Sequence, residues 1–179
     1  MSSMHIHPKK SLGQNFLKDP HFLGKIVDAA QIGSRDQVIE IGPGLGHLTR
    51  ALAESGCKLL ILELDDRLMP RLLEEFGSRP TVQVVHADAL EFHYGGLSGS
   101  WKVVANLPYY ISTAIIQKLV AQRGRFTTLT LMLQKEVAER IAAVPGAPEP
   151  AHATATVSST RRRAAWASAP SPTRRSATK

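Results

Sequence analysis

Apolar positions change character at Val144. Before it, apolar runs alternate with polar and glycine-rich breaks; after it, Val157 and Trp166 are the only large apolar residues. Asp19-Pro20 is an N-cap with proline at the first helical position. Phe22, Leu23, Ile26, Val27 and Ala30 follow at helical spacing and predict the first helix. Gln37 to Ile41, Lys58 to Leu64, Thr81 to His86, Trp101 to Ala105 and Phe126 to Leu133 are short apolar runs and predict five strands. Helices are expected over His47 to Glu54, around Leu68, Leu72, Leu73 and Phe76, around Ile115, Ile116, Leu119 and Val120, and over Lys135 to Ala143. Strands separated by helices predict an α/β fold: right-handed crossovers, a mostly parallel sheet and helices on both faces. Ligands of such folds bind at the carboxyl ends of the strands.

Composition narrows the class. The 179 residues are 43% hydrophobic and 21% charged, ordinary globular usage, and no apolar run approaches the roughly 20 residues of a membrane-spanning helix. The first ten residues lack the apolar segment of a secretory signal, and Cys57 is the only cysteine, so the expected compartment is the cytoplasm. Of the net charge of +7, residues 145–179 carry +5, through Arg161, Arg162, Arg163, Arg174, Arg175 and Lys179 against Glu149. Residues 1–144 are therefore only mildly basic, and net charge alone argues weakly for a nucleic-acid partner. The Ala/Pro/Ser/Thr/Arg tail at 145–179 is expected to be disordered.

The strand ends carry the candidate chemistry. The first ends in Glu40-Ile41-Gly42-Pro43-Gly44-Leu45-Gly46 and opens a helix, an arrangement that brings backbone amides close to a ligand. A glycine turn of this kind also serves plain structural purposes. Here Glu63 stands at the end of the next strand, 21 residues beyond Gly42, and Asp88 follows the third. Position 47 is histidine, so the G-x-G-x-x-G of nicotinamide sites is absent, and no G-K-[ST] follows for a P-loop. The spacing suits a cofactor with a ribose and an amino-acid arm but no pyrophosphate: S-adenosylmethionine.

After the fourth strand comes Asn106-Leu107-Pro108-Tyr109-Tyr110. An amide oxygen at Asn106 and a backbone carbonyl near Leu107 suit the two hydrogens of a base amine, Pro108 stiffens the turn, and Tyr109 offers a ring to stack on the base. Tyr110 is read as a packing residue. The histidines lack metal-ligand spacing, so no metal is expected. Cys57 is read as a small buried hydrophobe.

These motifs together resemble the ribosomal RNA adenine dimethyltransferases of the KsgA type. The likeness runs from Ser11-Leu12-Gly13-Gln14-Asn15-Phe16-Leu17 through 40–46, 63–65, 86–90, 106–113 and 133–140, and covers about residues 9–143. It implies a Rossmann-like class I methyltransferase domain over residues 1–144. In that family the positions of Asn15, Leu17, Gly42, Gly44, Glu63, Asp88 and Asn106 surround the cofactor, while Asn106, Leu107, Pro108 and Tyr109 receive the target adenine. The resemblance implies dimethylation of two adjacent adenines in a small-subunit ribosomal RNA hairpin within the immature subunit, by a monomer. After Ala143 the family's further strands, aromatic-proline segment and helical RNA-binding domain are not recognisable, as a frameshift near codon 144 would explain. The sheet is thus expected to be incomplete at its C-terminal edge, with the fifth strand an exposed apolar edge and the chain poorly soluble or inactive. The alternatives are a non-catalytic RNA-binding assembly factor and an inactive truncated product; a DNA amine methyltransferase fits the motif less well.

Overall fold

Short apolar runs form strands buried on both faces when helices cover each side. The computed structural model, which describes residues 20–107, 110–133, 137, 154–158 and 164–166, shows this arrangement. In chain order the elements are α1 (Pro20–Ala30), β1 (Gln37–Ile41), α2 (His47–Glu54), β2 (Lys58–Glu63), α3 (Met69–Phe76), β3 (Val82–His86), β4 (Trp101–Asn106), α4 (Ser112–Ala121), β5 (Phe126–Met132), β6 (Thr154–Ser158) and β7 (Ala164–Trp166). All five expected strands form, with ends that shift by one residue or less. The expected first four helices form as well. The helix expected over Lys135 to Ala143 lies outside the described residues except for Val137, which is helical.

The strands lie in the order β3-β2-β1-β4-β5-β6-β7. Pairs from β3 to β5 are parallel, and β5-β6 and β6-β7 are antiparallel. The chain steps outward from β1 to β3, then crosses back to lay β4 against the other side of β1. The crevice between the ends of β1 and β4 is therefore the topological switch point where such sheets take ligands.

Alternation divides the strand side chains between two cores. On one face Ile39, Ile41, Leu60, Leu62, Val103 and Ala105 pack with Ile115 and Leu119 of α4. On the other, Val38, Leu59, Ile61 and Val104 meet Ile26 of α1, Leu48 and Leu52 of α2, and Leu72 and Phe76 of α3. Helix α2 has eight residues, too few to persist alone in water. Burial of Leu48 and Leu52, each worth about 1.5–3 kcal/mol, holds it in place. Cys57 is fully buried in this second core, and burial raises its thiol pKa.

The tail corrects the sequence expectation. β6 and β7 lie inside residues 145–179, read above as disordered, and β6 pairs along β5 from Thr128↔Ser158 to Met132↔Thr154. β5 is therefore not the sheet's edge, and the physical ground for expecting poor solubility falls away. Thr154-Ala155-Thr156-Val157-Ser158 lacks the bulk to seed a core, yet β5 offers a full row of amides and carbonyls to pair with, and tertiary context decides. β7, three residues long, ends the sheet with little free edge.

Thr156 pairs with Thr130 on one side and Ala165 on the other, so its N–H belongs to a ladder whichever strand accepts it. Thr156→Pro is expected to detach β6 and expose β5. Light scattering on warming will show earlier self-association of this variant than of the parent chain; identical curves would remove β6 from any protective role.

Candidate functional site at the carboxyl rim of the sheet

The glycine turn after β1 is built from conformations that side chains rarely adopt. Gly42, Gly44 and Gly46 have φ of 67°, 58° and 80°. Their roles differ. A Cβ at Gly46 would stand 3.0 Å from Phe76, so this glycine lets α2 close onto α3. A Cβ at Gly42 or Gly44 would meet nothing within 4 Å, so those two present bare backbone to open space. The turn is anchored by Gly42 N–H donating to the Leu62 carbonyl and Gly46 N–H to Pro43, both at 3.0 Å.

Register brings the polar residues level with that turn. Ile41 pairs with Leu62 of β2 and Ala105 of β4, which sets Gly42 between Glu63 and Asn106, one strand spacing of about 4.8 Å from each. Glu63 is buried, and its Oε1 accepts the Leu64 and Asp65 N–H groups, each at 2.8 Å. This fixes the carboxylate and leaves Oε2 toward the rim. Asp88 lies two residues beyond His86, the partner of Glu63 on β3; its Oδ1 accepts the Leu90 N–H at 2.8 Å. Asn106 ends β4 half-buried, and Leu107 behind it is buried in the core. Structure therefore gathers Gly42, Gly44, Glu63, Asp88, Asn106 and Leu107 on one rim. Asn15, Leu17, Pro108 and Tyr109 lie outside the described residues.

The segment after β2 is braced before any ligand arrives. Arg67 binds the Asp65 carboxylate, chiefly through its guanidinium, and holds that carboxyl down at about 2. His86 Nε2 lies 3.0 Å from the Leu64 carbonyl and 2.9 Å from Asp66 Oδ1. On the far side of the turn, Arg50 of α2 donates Nε–H and Nη2–H, one edge of its guanidinium, to the two carboxylate oxygens of Glu75 on α3. Among the described residues no three or more histidine, cysteine or acidic side chains converge as a metal site would require.

Two features escaped the sequence reading. Tyr110, read as packing, is 89% exposed. Glu40 is fully buried in β1, on the face of Glu63, and its Oε2 has no hydrogen-bond partner among the described residues; the same holds for the Thr49 and Thr130 hydroxyls. Burial pushes the Glu40 carboxyl up to about 8, and the Glu63 carboxylate adds to the rise. A charged residue inside an apolar strand was the available signal, though its burial depends on α2 closing over it.

A family model described as ribosomal RNA adenine dimethylase matches residues 6–159. Ribosomal RNA small subunit methyltransferase A of Shouchella clausii is 45% identical over 148 residues, spanning 79% of this chain and 50% of the relative. Its counterpart in Ligilactobacillus salivarius is 48% identical over 145 residues, spanning 77% and 49%. The chain thus spans about half the length of the curated relatives it matches. Among solved structures, the 23S rRNA methyltransferase ErmE superposes with a TM-score of 0.62 at 30% identity, over 68% of this chain and 48% of that one. A dimethyladenosine transferase from Plasmodium falciparum gives 0.59 at 36% identity, over 72% and 46%. The fold is that of the Rossmann-like methyltransferases.

The elevated pKa of Glu40 has a sign that can be measured. Its folded pKa lies above the unfolded value, so the folded protein keeps a proton that the unfolded chain releases. Stability is lost as pH rises from about 4.5 to about 8 and is level beyond. Glu40→Gln removes this dependence, and its thermal midpoint will gain on the parent chain's across that window. Parallel curves would show that Glu40 does not hold its proton.

Proposed function

The chain belongs to the ribosomal RNA adenine dimethylase family, and from that membership and the rim geometry we propose that it transfers methyl groups from S-adenosylmethionine to adenine amines. The substrate we infer is a pair of adjacent adenines in a small-subunit ribosomal RNA hairpin, presented by the immature subunit in the cytoplasm to a monomer of this protein. The observation that carries the reading is the open glycine turn set level with Glu63, Asp88 and Asn106.

The residues present fit the cofactor. Bare backbone at Gly42 and Gly44 accommodates an amino-acid arm where a Cβ would intrude. Glu63, with one oxygen already held by two amides, has the other for a ribose hydroxyl. Asp88, with Oδ1 committed to Leu90, offers Oδ2 to an adenine amine. Asn15 and Leu17 are assigned to the same site by their motif. Bound there, S-adenosylmethionine supplies an electrophilic methyl carbon on a sulfonium.

The target amine is a weak nucleophile because its lone pair is delocalised into the ring. In this reading Asn106 Oδ1 and the Leu107 carbonyl accept its two hydrogens, which orients the nitrogen and restores electron density to it; their position at the end of β4 supports the assignment. By their place in the motif, Pro108 and Tyr109 are assigned to the same base, Tyr109 as a π face for the charge that develops on it. Asn106 is neutral and takes no proton; the methylated amine loses its proton to water. Catalysis is orientation and electrostatics, with no strong general base required.

The rival reading is an RNA-binding assembly factor without catalysis. Radiolabelled methyl transfer to immature small subunits separates the two. The parent chain is expected to label the RNA, and Asn106→Ala to lower kcat by roughly 10²–10³-fold. Glu63→Ala is expected to weaken cofactor binding, measured by calorimetry, by about 10–100-fold. No labelling by the parent chain, or undiminished labelling by Asn106→Ala, refutes the catalytic reading.

A further inference from the structure

The described residues expose four large hydrophobic side chains, and two of them lie past strand ends at the carboxyl rim: Leu64 directly after β2, and Tyr110 four positions beyond the end of β4. Tyr110 is the extreme case at 89% exposure, yet it does not sit on a loose strap. Leu107 before it and Ser112 after it are each 2% exposed, and Ile111 packs against the core. Ile111 and Ser112 therefore fix the backbone directly after an aromatic ring that faces water. A tyrosine used for packing would be buried, since its ring removes up to about 150–250 Å² from solvent when covered. It is four positions along the chain from Asn106, so the two Cα atoms are at most about 14 Å apart.

Resting on the proposed function, we infer that Tyr110 is a stacking platform for a nucleotide adjoining the target adenine, so that the rim holds two consecutive parts of a single-stranded RNA loop. A base taken from its stack loses a neighbour on each side. A rigid tyrosine replaces one of those neighbours with little loss of side-chain entropy, and it tolerates any base because every base has a π face. The ring's place four positions along the chain from Asn106, just ahead of the packed Ile111, favours RNA over a protein partner. A protein anchor of this kind belongs at the centre of an apolar patch, and among the described residues no other exposed large hydrophobic side chain follows β4 before Val120 on α4.

The test uses the full chain and an RNA hairpin with two adjacent adenines in its loop, alongside versions with an abasic site 5′ or 3′ of that pair. Tyr110→Ala is expected to raise Kd and KM for the intact RNA about tenfold or more, with kcat and cofactor affinity retained. Tyr110→Phe and Tyr110→Trp restore binding. One of the abasic RNAs should weaken binding to the parent chain by a similar factor and weaken binding to Tyr110→Ala no further. Unchanged RNA affinity in Tyr110→Ala overturns the inference. So do losses from the variant and the abasic site that simply multiply, and so does failure of Tyr110→Phe to rescue, as a protein-facing or purely structural tyrosine would show. A parent chain that binds the hairpin through Tyr110 but transfers no methyl refutes the catalytic reading and leaves the stack standing. Normal methyl transfer with unaltered Tyr110→Ala kinetics does the reverse.

Discussion

The hydrogen-bonded register of β1 with its two neighbours is the constraint on which the rim depends. Ile41 opposite both Leu62 and Ala105 puts Gly42, Glu63 and Asn106 at one height. A shift of one residue in either ladder would turn Glu63 or Asn106 to the opposite face, because side chains alternate with a period of two. Register is in turn held by burial: β1 is apolar on both faces except at Glu40, and a slipped strand would move that carboxyl into the core against α4. Packing thus enforces the spacing of the rim residues.

Glu40 shows the opposite balance. An isolated buried carboxylate is expensive, and the protein meets this by keeping the group protonated near neutrality rather than by pairing it. Stability is given up at a place directly behind the glycine turn. The surrounding apolar layer, with Val38, Leu59, Ile61 and Val104 fully or almost fully buried, is large enough to tolerate it.

Much of this was legible in the chain itself, and the reasons differ from element to element. β1 was located to the residue because a five-residue apolar run between polar breaks has few alternatives. The α2 start was readable from Gly46, whose left-handed conformation excludes continuation of the turn. The rim positions of Glu63 and Asp88 were readable because the first ends, and the second closely follows, a recognisable apolar strand. β6 and β7 were not found, since Thr, Ala and Ser in 154–158 carry no pattern that distinguishes a paired strand from a solvated tail; the partner strand β5 supplies the difference. The exposure of Tyr110 was hidden for the same kind of reason. Whether an aromatic beside a motif is covered depends on what the turn at 110–111 faces, and spacing says nothing about that.

The crossing from β3 back to the far side of β1 has a consequence for biosynthesis. While β1, β2 and β3 have emerged and β4 has not, one long side of β1 has no partner, and roughly 60 residues separate the two strands in the chain. At about 5–20 residues per second the ribosome leaves that side bare for roughly 3–12 s. For those seconds the nascent chain carries an unpaired strand side that the finished fold buries against β4, a template for mispairing that only the arrival of β4 removes.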